Sequence, residues 1–335
     1  MRIGNLTQTV WKRSVKKQLH KRREEFLTEP AQGERCVVMK AEGCGDEKTF
    51  VTAHAAANGN TVSTAGYAVM RAITDLVCRG AEPSGVSLQL FLPEWVTEEQ
   101  LRELTGEVEE ICEKMQIQLT GLWAEISPAA QQIFVSANAS GVGKEPIISL
   151  SGASEGEEIL LCGSVGLEGA LRILAEQEAE LAKRFVPAFI RQTKAHREEL
   201  CPIQALKEVR PYVSVMQQIG SGGIFAALWE LAEASGIGFQ VDMERMTICQ
   251  ETVEICEYYR LNPYQMTSGG AVLLTTKEAQ KVLRFLEKEG VRAGRLGMIH
   301  AGNARVITSG EETRYLDRPA KDELARWMEE QIKNR

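Results

Sequence analysis

The stretch RAITDLVCRGAEPSGVSLQLFLPE, residues 71–94, contains the helix-to-strand turn that decides the fold. Apolar residues at helical spacing predict a helix over 63–79, and Gly80 is a suitable residue to end it. The run GVSLQLF predicts a strand over 85–91, which Pro93 closes. A helix followed directly by a strand buries its apolar side on the sheet, and this arrangement favours a mixed α+β architecture.

The same alternation continues along the chain and separates into two units. In the first unit we predict helices over 7–26 and 97–116 and strands over 35–40, 49–53, 117–122 and 131–138. The second unit begins with a strand over 158–164 and ends with a helix over 319–333. The Gly- and Ser-rich stretch between them is the natural boundary. The sequence therefore predicts an α+β protein of two domains, residues 1–145 and 152–335.

Composition and charge narrow the class of protein. The chain has 335 residues, a formal charge of −7, 44% apolar residues and 25% charged residues, which is ordinary for a globular protein. No apolar run approaches the roughly 20 residues of a membrane helix, and the N-terminus lacks the apolar segment of a secretory signal. The eight cysteines form no C-x-x-C pair, and most lie in apolar runs. We therefore expect a cytoplasmic protein with reduced core thiols and no membrane partner.

A basic block stands out against this acidic background. Between Lys12 and Arg23 there are seven basic residues and no acid. Such a block is typical of a nucleic-acid contact, of a membrane-surface contact, or of a solvated helix face. Because no base-reading motif follows, nucleic acid is the weaker of these alternatives. We expect an amphipathic helix that packs through Trp11, Val15, Leu19 and Phe26.

Three places combine the residue types that a binding site needs. In GCGDEK at 43–48, two glycines permit close approach to an anion, and two carboxylates suit a hard cation. In GSGG at 220–223, glycines open the N-terminus of a predicted helix, which favours a phosphate. Asp75 lies within an apolar helix and needs a partner if it is buried. Each has a structural alternative, respectively a polar hairpin, a tight turn and an exposed helix face.

These motifs together resemble a known family. The chain is similar to the aminoimidazole ribonucleotide (AIR) synthetase-like, or PurM-like, superfamily, in its HypE-like, AIR synthase-related branch. The resemblance rests on GCGDE, the stretch at 71–94, GSGGIFAALWELAEASGIGF and QETVEICEYYRLNPYQMTSGG. It implies an N-terminal α+β domain whose sheet pairs with that of a second subunit to close a β-barrel, and a C-terminal α+β domain that covers a nucleotide cleft. It also implies a homodimer that binds ATP with Mg²⁺ and activates a small substrate by phosphoryl transfer.

The resemblance also assigns site residues. The positions that match the family's nucleotide-binding motifs are Gly43, Gly45, Asp46, Gly222 and Gly223. The positions that match its metal ligands are Glu47, Asp75 and Glu125. No catalytic residue is assigned.

Several family positions are altered in this chain. His54 stands where the family has a metal-binding aspartate, Gln218 replaces a second aspartate, and Trp123 replaces a polar residue. Because Mg²⁺ is held mostly by carboxylate oxygens, these exchanges predict weakened Mg-ATP binding. The last cysteine of the chain is Cys256, so the carbamoyl-accepting cysteine of a HypE tail is expected to be missing. The alternative to an ATP-using enzyme is a non-catalytic dimeric binding or regulatory relative.

Overall fold

The computed structural model describes residues 5–41 and 48–333. The chain is a mixed α+β structure with two sheets, as the sequence predicts. The N-terminal unit contains a five-stranded sheet with strands β1 (Cys36–Lys40), β2 (Lys48–Gly59), β3 (Glu82–Leu92), β4 (Gln118–Ile126) and β5 (Ile133–Lys144). Its helices are α1 (Gln8–Ser14), α2 (Thr64–Cys78) and α3 (Glu98–Met115).

The strand order of this sheet is β1-β2-β5-β3-β4. All pairs are antiparallel except β3 with β4, which are parallel and are connected through α3. Helix α3 begins at a complete capping box between Thr97 and Gln100. Helices α2 and α3 pack on the same sheet. Side chains of β2 and β5 alternate strictly between buried and more exposed positions, which leaves one sheet face open to solvent.

Up to residue 333, where the described part of the chain ends, the C-terminal unit contains a seven-stranded sheet and seven α-helices. Its strands are β6 (Glu158–Cys162), β7 (Val215–Gln218), β8 (Gly238–Asp242), β9 (Val272–Thr276), β10 (Ala293–His300), β11 (Arg305–Ser309) and β12 (Glu312–Tyr315), in the order β12-β11-β8-β10-β6-β9-β7. Its helices are α4 (Leu167–Arg184), α5 (Pro187–Ala195), α6 (Ile203–Val209), α7 (Gly223–Ser235), α8 (Gln250–Tyr259), α9 (Ala279–Lys288) and α10 (Glu323–Lys333).

Helix α2 lies at the centre of the molecule, where the two units meet. All of its residues except Arg71 are buried, because small and apolar side chains occur on every side of the helix. Ile73 of α2 shares one apolar core with Leu206 of α6 and Leu274 of β9. The largest core of the protein therefore belongs to both units.

The N-terminal helix is shorter than predicted. After α1, which Thr7 caps, the chain forms a 3-10 turn at Lys16–Gln18. The carbonyl oxygen of Glu25 then accepts from the backbone N–H of Lys40 at 2.9 Å, and the N–H of Leu27 donates to the carbonyl oxygen of Val38 at 2.8 Å, so the chain pairs with the edge strand β1. Pairing with this edge satisfies backbone groups that a helix over 7–26 would leave exposed on β1. The basic block is therefore only partly helical.

Two further differences concern strands. Strand β5 continues to Lys144, so the glycines at 141 and 143 lie in the sheet and not in a linker. Strands β10–β12 are missing from the sequence-based prediction, because the glycines and polar residues over 293–315 obscure the alternation of a strand. The predicted domain boundaries at 145 and 152 stay a prediction. No helix among the described residues is long and apolar enough to cross a membrane.

Candidate functional site

The candidate site is the cleft where α2 and β1 of the N-terminal unit face the β7–α7 turn of the C-terminal unit. Asp75 of α2 is buried there, so the structure requires a partner for its carboxylate. The partner is Arg35, which immediately precedes β1 and whose Nη1 lies 3.5 Å from Asp75 Oδ1. The same Nη1 donates to the backbone oxygen of Gln218 at 3.0 Å. Arg35 therefore joins the two units across the cleft.

A second carboxylate completes this cluster. Glu230 of α7 is 9% exposed, and its Oε2 lies 3.8 Å from Arg35 Nη2 and accepts a 3.0 Å hydrogen bond from Gln217 Nε2. Burial raises the pKa of the Glu230 carboxyl, while the charge of Arg35 and the hydrogen bond from Gln217 act in the opposite direction. One guanidinium thus lies between two buried carboxylates.

Gln218, which stands where the family has an aspartate, has a structural role. Its side-chain Nε2 donates to the backbone oxygen of Arg71 at 2.9 Å, and its Oε1 accepts from the backbone N–H of Gly270 at 3.1 Å. A neutral amide can satisfy a donor and an acceptor at once, which a carboxylate cannot do. Gln218 therefore connects α2 to the second unit.

Other arginines reinforce the same boundary. Arg79, at the end of α2, makes a two-pronged contact with Glu34 at 2.9 and 3.1 Å and donates to the backbone oxygen of Met216 at 3.3 Å. Glu168 of α4 is almost fully buried and pairs with Arg172 at 3.1 Å. The buried carboxylates of the cleft are thus matched by arginines of the same chain.

The glycine turn before α7 binds an anionic group of the same chain, the carboxylate of Asp322. The backbone N–H of Gly222 donates to Asp322 Oδ2 at 2.6 Å, and the Thr267 hydroxyl donates to the same oxygen at 2.8 Å. Gly223 has a positive φ of 67°, and its N–H donates to the carbonyl oxygen of Gly220 within the turn. The predicted phosphate position therefore faces a carboxylate of the C-terminal segment.

The remaining predicted residues lie elsewhere. Glu125 is exposed on β4, at the edge of the sheet opposite β1, three strand spacings of about 4.8 Å from β2. His54 lies on the open face of β2. Trp123 lies on β4 and contacts Phe91 at a ring-centroid distance of 5.5 Å. Gly43, Gly45, Asp46 and Glu47 are outside the described residues.

A cavity of about 790 Å³ opens between the basic block and β1. Its cationic lining residues are Lys16, Lys21, Arg22, Arg23 and Arg35, its acidic ones are Glu29 and Glu34, and its apolar ones include Leu19, Phe26 and Val37. Arg22 forms an ion pair with Glu29. A cavity of this size suits a small organic ligand. We call it the basic cavity. Arg35 lines it and also contacts the cleft.

Sequence reasoning missed Arg35, Glu230 and Asp322. Glu230 carried a usable signal, because it is the single charged residue within IFAALWELA, as Asp75 is the single acidic residue within α2. Asp322 directly precedes α10 and accepts from the backbone N–H of Ala325 at 3.0 Å, which is the pattern of a helix cap. For Arg35 no local signal exists, because its partners come from distant parts of the chain.

Two family models match the sequence. The model described as AIR synthase related protein, N-terminal domain, matches residues 27–143, and that of the C-terminal domain matches residues 154–309. Together they span most of the chain.

Individual relatives are more distant. The Methanocaldococcus jannaschii protein named "Putative hydrogenase expression/formation protein" is 25% identical over 224 residues, which cover 66% of this chain and 65% of that protein. Carbamoyl dehydratase HypE of Rhodobacter capsulatus is 23% identical over 272 residues, which cover 77% of each chain. The match thus spans slightly less than two thirds of the first relative.

Solved structures share the fold at low sequence identity. Escherichia coli HypE, a hydrogenase maturation protein, has a TM-score of 0.68 and 20% identity over 85% of this chain and 91% of that chain. A ThiL complex with AMPPCP and TMP has a TM-score of 0.68 and 19% identity, covering 93% and 96%. HypE in complex with ATP has a TM-score of 0.67 and 15% identity, covering 86% and 89%. The two family models show that the chain belongs to the AIR synthase-related (PurM-like) family, with HypE proteins among its relatives, and the solved structures show that it shares their fold.

Proposed function

We propose that this protein binds a nucleotide through arginines, without the Mg²⁺-dependent phosphoryl transfer of its family. The observation that carries the proposal is the guanidinium of Arg35, which lies between Asp75 and Glu230. An arginine there supplies a fixed positive charge at carboxylates that could otherwise hold a divalent cation. The function is therefore closer to ligand binding or regulation than to catalysis.

The described residues do not fit a magnesium ion. Mg²⁺ requires near-octahedral oxygen ligands, usually including one or two carboxylates. Asp75 is the only predicted metal ligand that the described part of the chain contributes to the cleft, and its carboxylate faces Arg35. Glu125 lies across the sheet and cannot complete a site with Asp75 in the same chain. We therefore derive no reaction step through Mg²⁺.

The basic cavity supports a phosphate-bearing ligand. Its five cationic side chains outnumber the carboxylates of Glu29 and Glu34, which favours an anion. Its apolar wall, which includes Leu19 and Phe26, can contact a flat ring. The solved relatives bound to ATP and to AMPPCP make an adenine nucleotide the first ligand to test. The Arg35 guanidinium lies close to Gly220 of the glycine turn, since a Cβ atom added at Gly220 would be only 2.5 Å from Arg35 Nη2. Arg35 therefore links this cavity to the glycine turn.

ATP binding is expected to be independent of Mg²⁺. Calorimetric titration of the full chain with ATP should give dissociation constants within about threefold of each other in Mg²⁺ and in EDTA, because arginines neutralise the phosphates in both. A phosphate-release assay under the same conditions should show no turnover.

Two results would contradict this proposal in different ways. Tightening by Mg²⁺ of about tenfold or more, or steady phosphate release, would restore the family's Mg-ATP chemistry. If millimolar ATP gives no heat of binding, the proposal of a nucleotide ligand is wrong, and the alternative is a dimeric relative that binds another partner.

The double substitution of Arg22 and Arg23 by Gln should weaken ATP binding about tenfold, whereas Arg102→Gln, on the exposed face of α3, should leave it unchanged.

We further propose that the protein is a homodimer that pairs through the open face of the N-terminal sheet. Large apolar side chains on this face remain exposed, with Trp123 49%, Phe134 43% and Val142 48% accessible. Phe91 contacts both Trp123 and Phe134, so the aromatic rings form one patch. An exposed apolar patch of this kind is typical of a protein interface.

We also propose a cytoplasmic location. The free state of the seven described cysteines agrees with this proposal.

The substitution Trp123→Glu is expected to convert the dimer into a monomer. A buried, unpaired carboxylate in the interface costs several kcal/mol, which is enough to shift a micromolar dimer fully towards monomers. Sedimentation velocity at several protein concentrations measures the change. Tyr315→Glu, at a side chain of β12 that is 73% exposed, is the matched control and should remain dimeric. A monomeric wild-type protein would overturn this interface.

A further inference from the structure

A group of potential metal ligands lies in the C-terminal unit, outside the cleft. His196 begins the 3-10 turn His196–Leu200, which follows α5. Cys249 caps the N-terminus of α8, and Glu251 lies in its first turn. Ligand atoms of His196, Cys249 and Glu251 all lie within 4.8 Å of one another. Two polypeptide segments thus bring a nitrogen, a sulfur and an oxygen donor together.

The hydrogen bonds of His196 orient its ring for coordination. Nδ1 lies 2.6 Å from Glu199 Oε1, since residues three apart lie above one another in a 3-10 turn. Nε2 lies 3.3 Å from Glu251 Oε2. A carboxylate on one ring nitrogen commonly fixes the tautomer that presents the other nitrogen to a metal.

The two ring nitrogens of His196 face different groups. Nε2 faces Glu251 Oε2 at 3.3 Å, whereas Arg292 Nη2 lies 3.5 Å from Nδ1 on the other edge of the ring. The Glu251 carboxylate therefore lies where an ion bound at Nε2 can also contact it.

Cys249 faces the same point. Its side chain is buried, and burial raises the pKa of its thiol, while the nearby Ser164 hydroxyl and Arg292 act in the opposite direction. Nη1 of Arg292 approaches the Cys249 sulfur to 3.3 Å, and Nη2 donates to Glu199 Oε1 at 3.1 Å. The Arg292 side chain is 44% exposed, so it can turn into solvent when another cation takes its place.

We propose that His196 Nε2, Cys249 Sγ and Glu251 Oε2 bind a borderline-soft transition-metal ion, best matched by Zn²⁺. Tetrahedral ligands with bonds of about 2.1 Å are separated by about 3.4 Å. The distance of 3.3 Å between His196 Nε2 and Glu251 Oε2 already matches that separation. As the metal–sulfur bond forms, the Cys249 thiol releases its proton to solvent. Three protein ligands leave the fourth position for water or a small ligand.

The chemistry of the donors separates this site from magnesium binding. A mixed nitrogen, sulfur and oxygen set selects Zn²⁺, Co²⁺ or a similar ion, whereas Mg²⁺ and Ca²⁺ prefer oxygen ligands alone. The site also differs from the proposed nucleotide cavity in all of its residues. It can therefore be tested whether or not the protein binds ATP.

The test uses the full-length protein after removal of metals by a chelator. Titration with Co²⁺ in excess Mg²⁺ should give one equivalent per chain, a thiolate-to-cobalt charge-transfer band and the visible bands of a tetrahedral ion. Zn²⁺ should then displace Co²⁺ stoichiometrically. Absence of a thiolate band in the wild-type protein would overturn the proposal, whatever the behaviour of the variants.

The variants assign the ligands. Cys249→Ser should abolish the charge-transfer band, and Cys256→Ser, at a second buried cysteine of α8, should retain it. Glu199→Gln should weaken Zn²⁺ binding about 10–100-fold without loss of the band, as expected for a residue that orients the histidine. Survival of the band in Cys249→Ser would overturn the proposal. Binding with the Mg²⁺ preference of an oxygen site would do so as well.

Arg292→Gln provides an independent check on the metal position. Since the guanidinium now faces Cys249 and Glu199, its removal should tighten Zn²⁺ binding several-fold by relieving charge repulsion. An unchanged affinity would overturn the placement of the ion at these residues. Circular dichroism of each metal-free variant verifies that it is folded.

Discussion

The substitution Arg35→Gln is expected to lower the free energy of unfolding by about 3 kcal/mol. It leaves the buried carboxylates of Asp75 and Glu230 without their shared cation, and removal of one partner of a buried pair typically costs about 3–5 kcal/mol. We take the lower end because the Arg35 side chain is 21% exposed and solvent screens part of its charge. Urea unfolding at constant pH measures the loss.

The loss should grow as the pH rises. Burial raises the folded-state pKa of Glu230 above its ordinary 4.5, and Arg35 opposes that rise, so the variant should have a still higher pKa at this residue. A carboxyl with a raised pKa binds its proton more tightly in the folded state. Its favourable contribution is therefore present below 4.5 and is lost as the pH rises through the folded-state pKa. The difference from wild type should be smaller at about pH 5 than at about pH 8.

Two controls separate this effect from a general loss of packing. Adding Glu230→Gln to Arg35→Gln should recover a measurable part of the stability, because it removes one of the unpaired charges. Arg102→Gln removes an exposed partner of Glu98 and should change stability by no more than about 0.5 kcal/mol. A pH-independent loss, or no recovery in the double variant, would contradict the electrostatic role assigned to Arg35.

The substitution Asp322→Asn is expected to change stability and ligand binding in opposite directions. The carboxylate of Asp322 accepts hydrogen bonds from Gly222 and Thr267 through one oxygen and from the backbone N–H of Ala325 through the other. An amide has only one acceptor oxygen, so at least one of these donors loses its partner. Hydrogen bonds to a charged group contribute about 1.5–3 kcal/mol, and we expect a loss of about 2 kcal/mol.

The same change should strengthen the binding of a phosphate-bearing ligand. Removal of a negative charge from the N-terminus of α7 relieves its repulsion of phosphate groups, and we expect ATP affinity to rise about three- to tenfold. Thermal unfolding and calorimetric titration of the same sample measure both effects. Asp317→Asn, at an exposed neighbouring position, should change neither. An unchanged ATP affinity in Asp322→Asn would separate the glycine turn from the nucleotide site.

Much of the fold could be predicted from local sequence patterns. The capping box at Thr97, the glycine at position 80 and the apolar helical spacing over 63–79 place α2 and α3 within two residues of their observed ends. These signals are local, so tertiary contacts do not change them. The helix predicted over 7–26 is shorter in the structure because the end of this segment pairs with β1. Strand β1 lies outside the predicted segment, so the apolar spacing within 7–26 does not reveal this pairing.

The cleft was less predictable because its partners are distant in sequence. Asp75 needs a partner only if it is buried, which the helix pattern leaves open, and the structure supplies Arg35, forty positions away. The family's pattern points to lost carboxylates such as the one at Gln218, and no local pattern indicates an arginine beside them. Similarly, the glycines at 220–223 favour either a phosphate or a tight turn, but the ligand of Gly222 is Asp322, a hundred residues later.

The position of α2 has a consequence for how the molecule folds and is inherited. Its residues belong to the apolar core that contains side chains of both units, so neither unit has that core complete without the other. We expect this shared core to couple the unfolding of the two units, although each has its own sheet. A gene fragment that encodes one unit alone would leave the apolar surface of the shared core exposed. We therefore expect the two halves to evolve together.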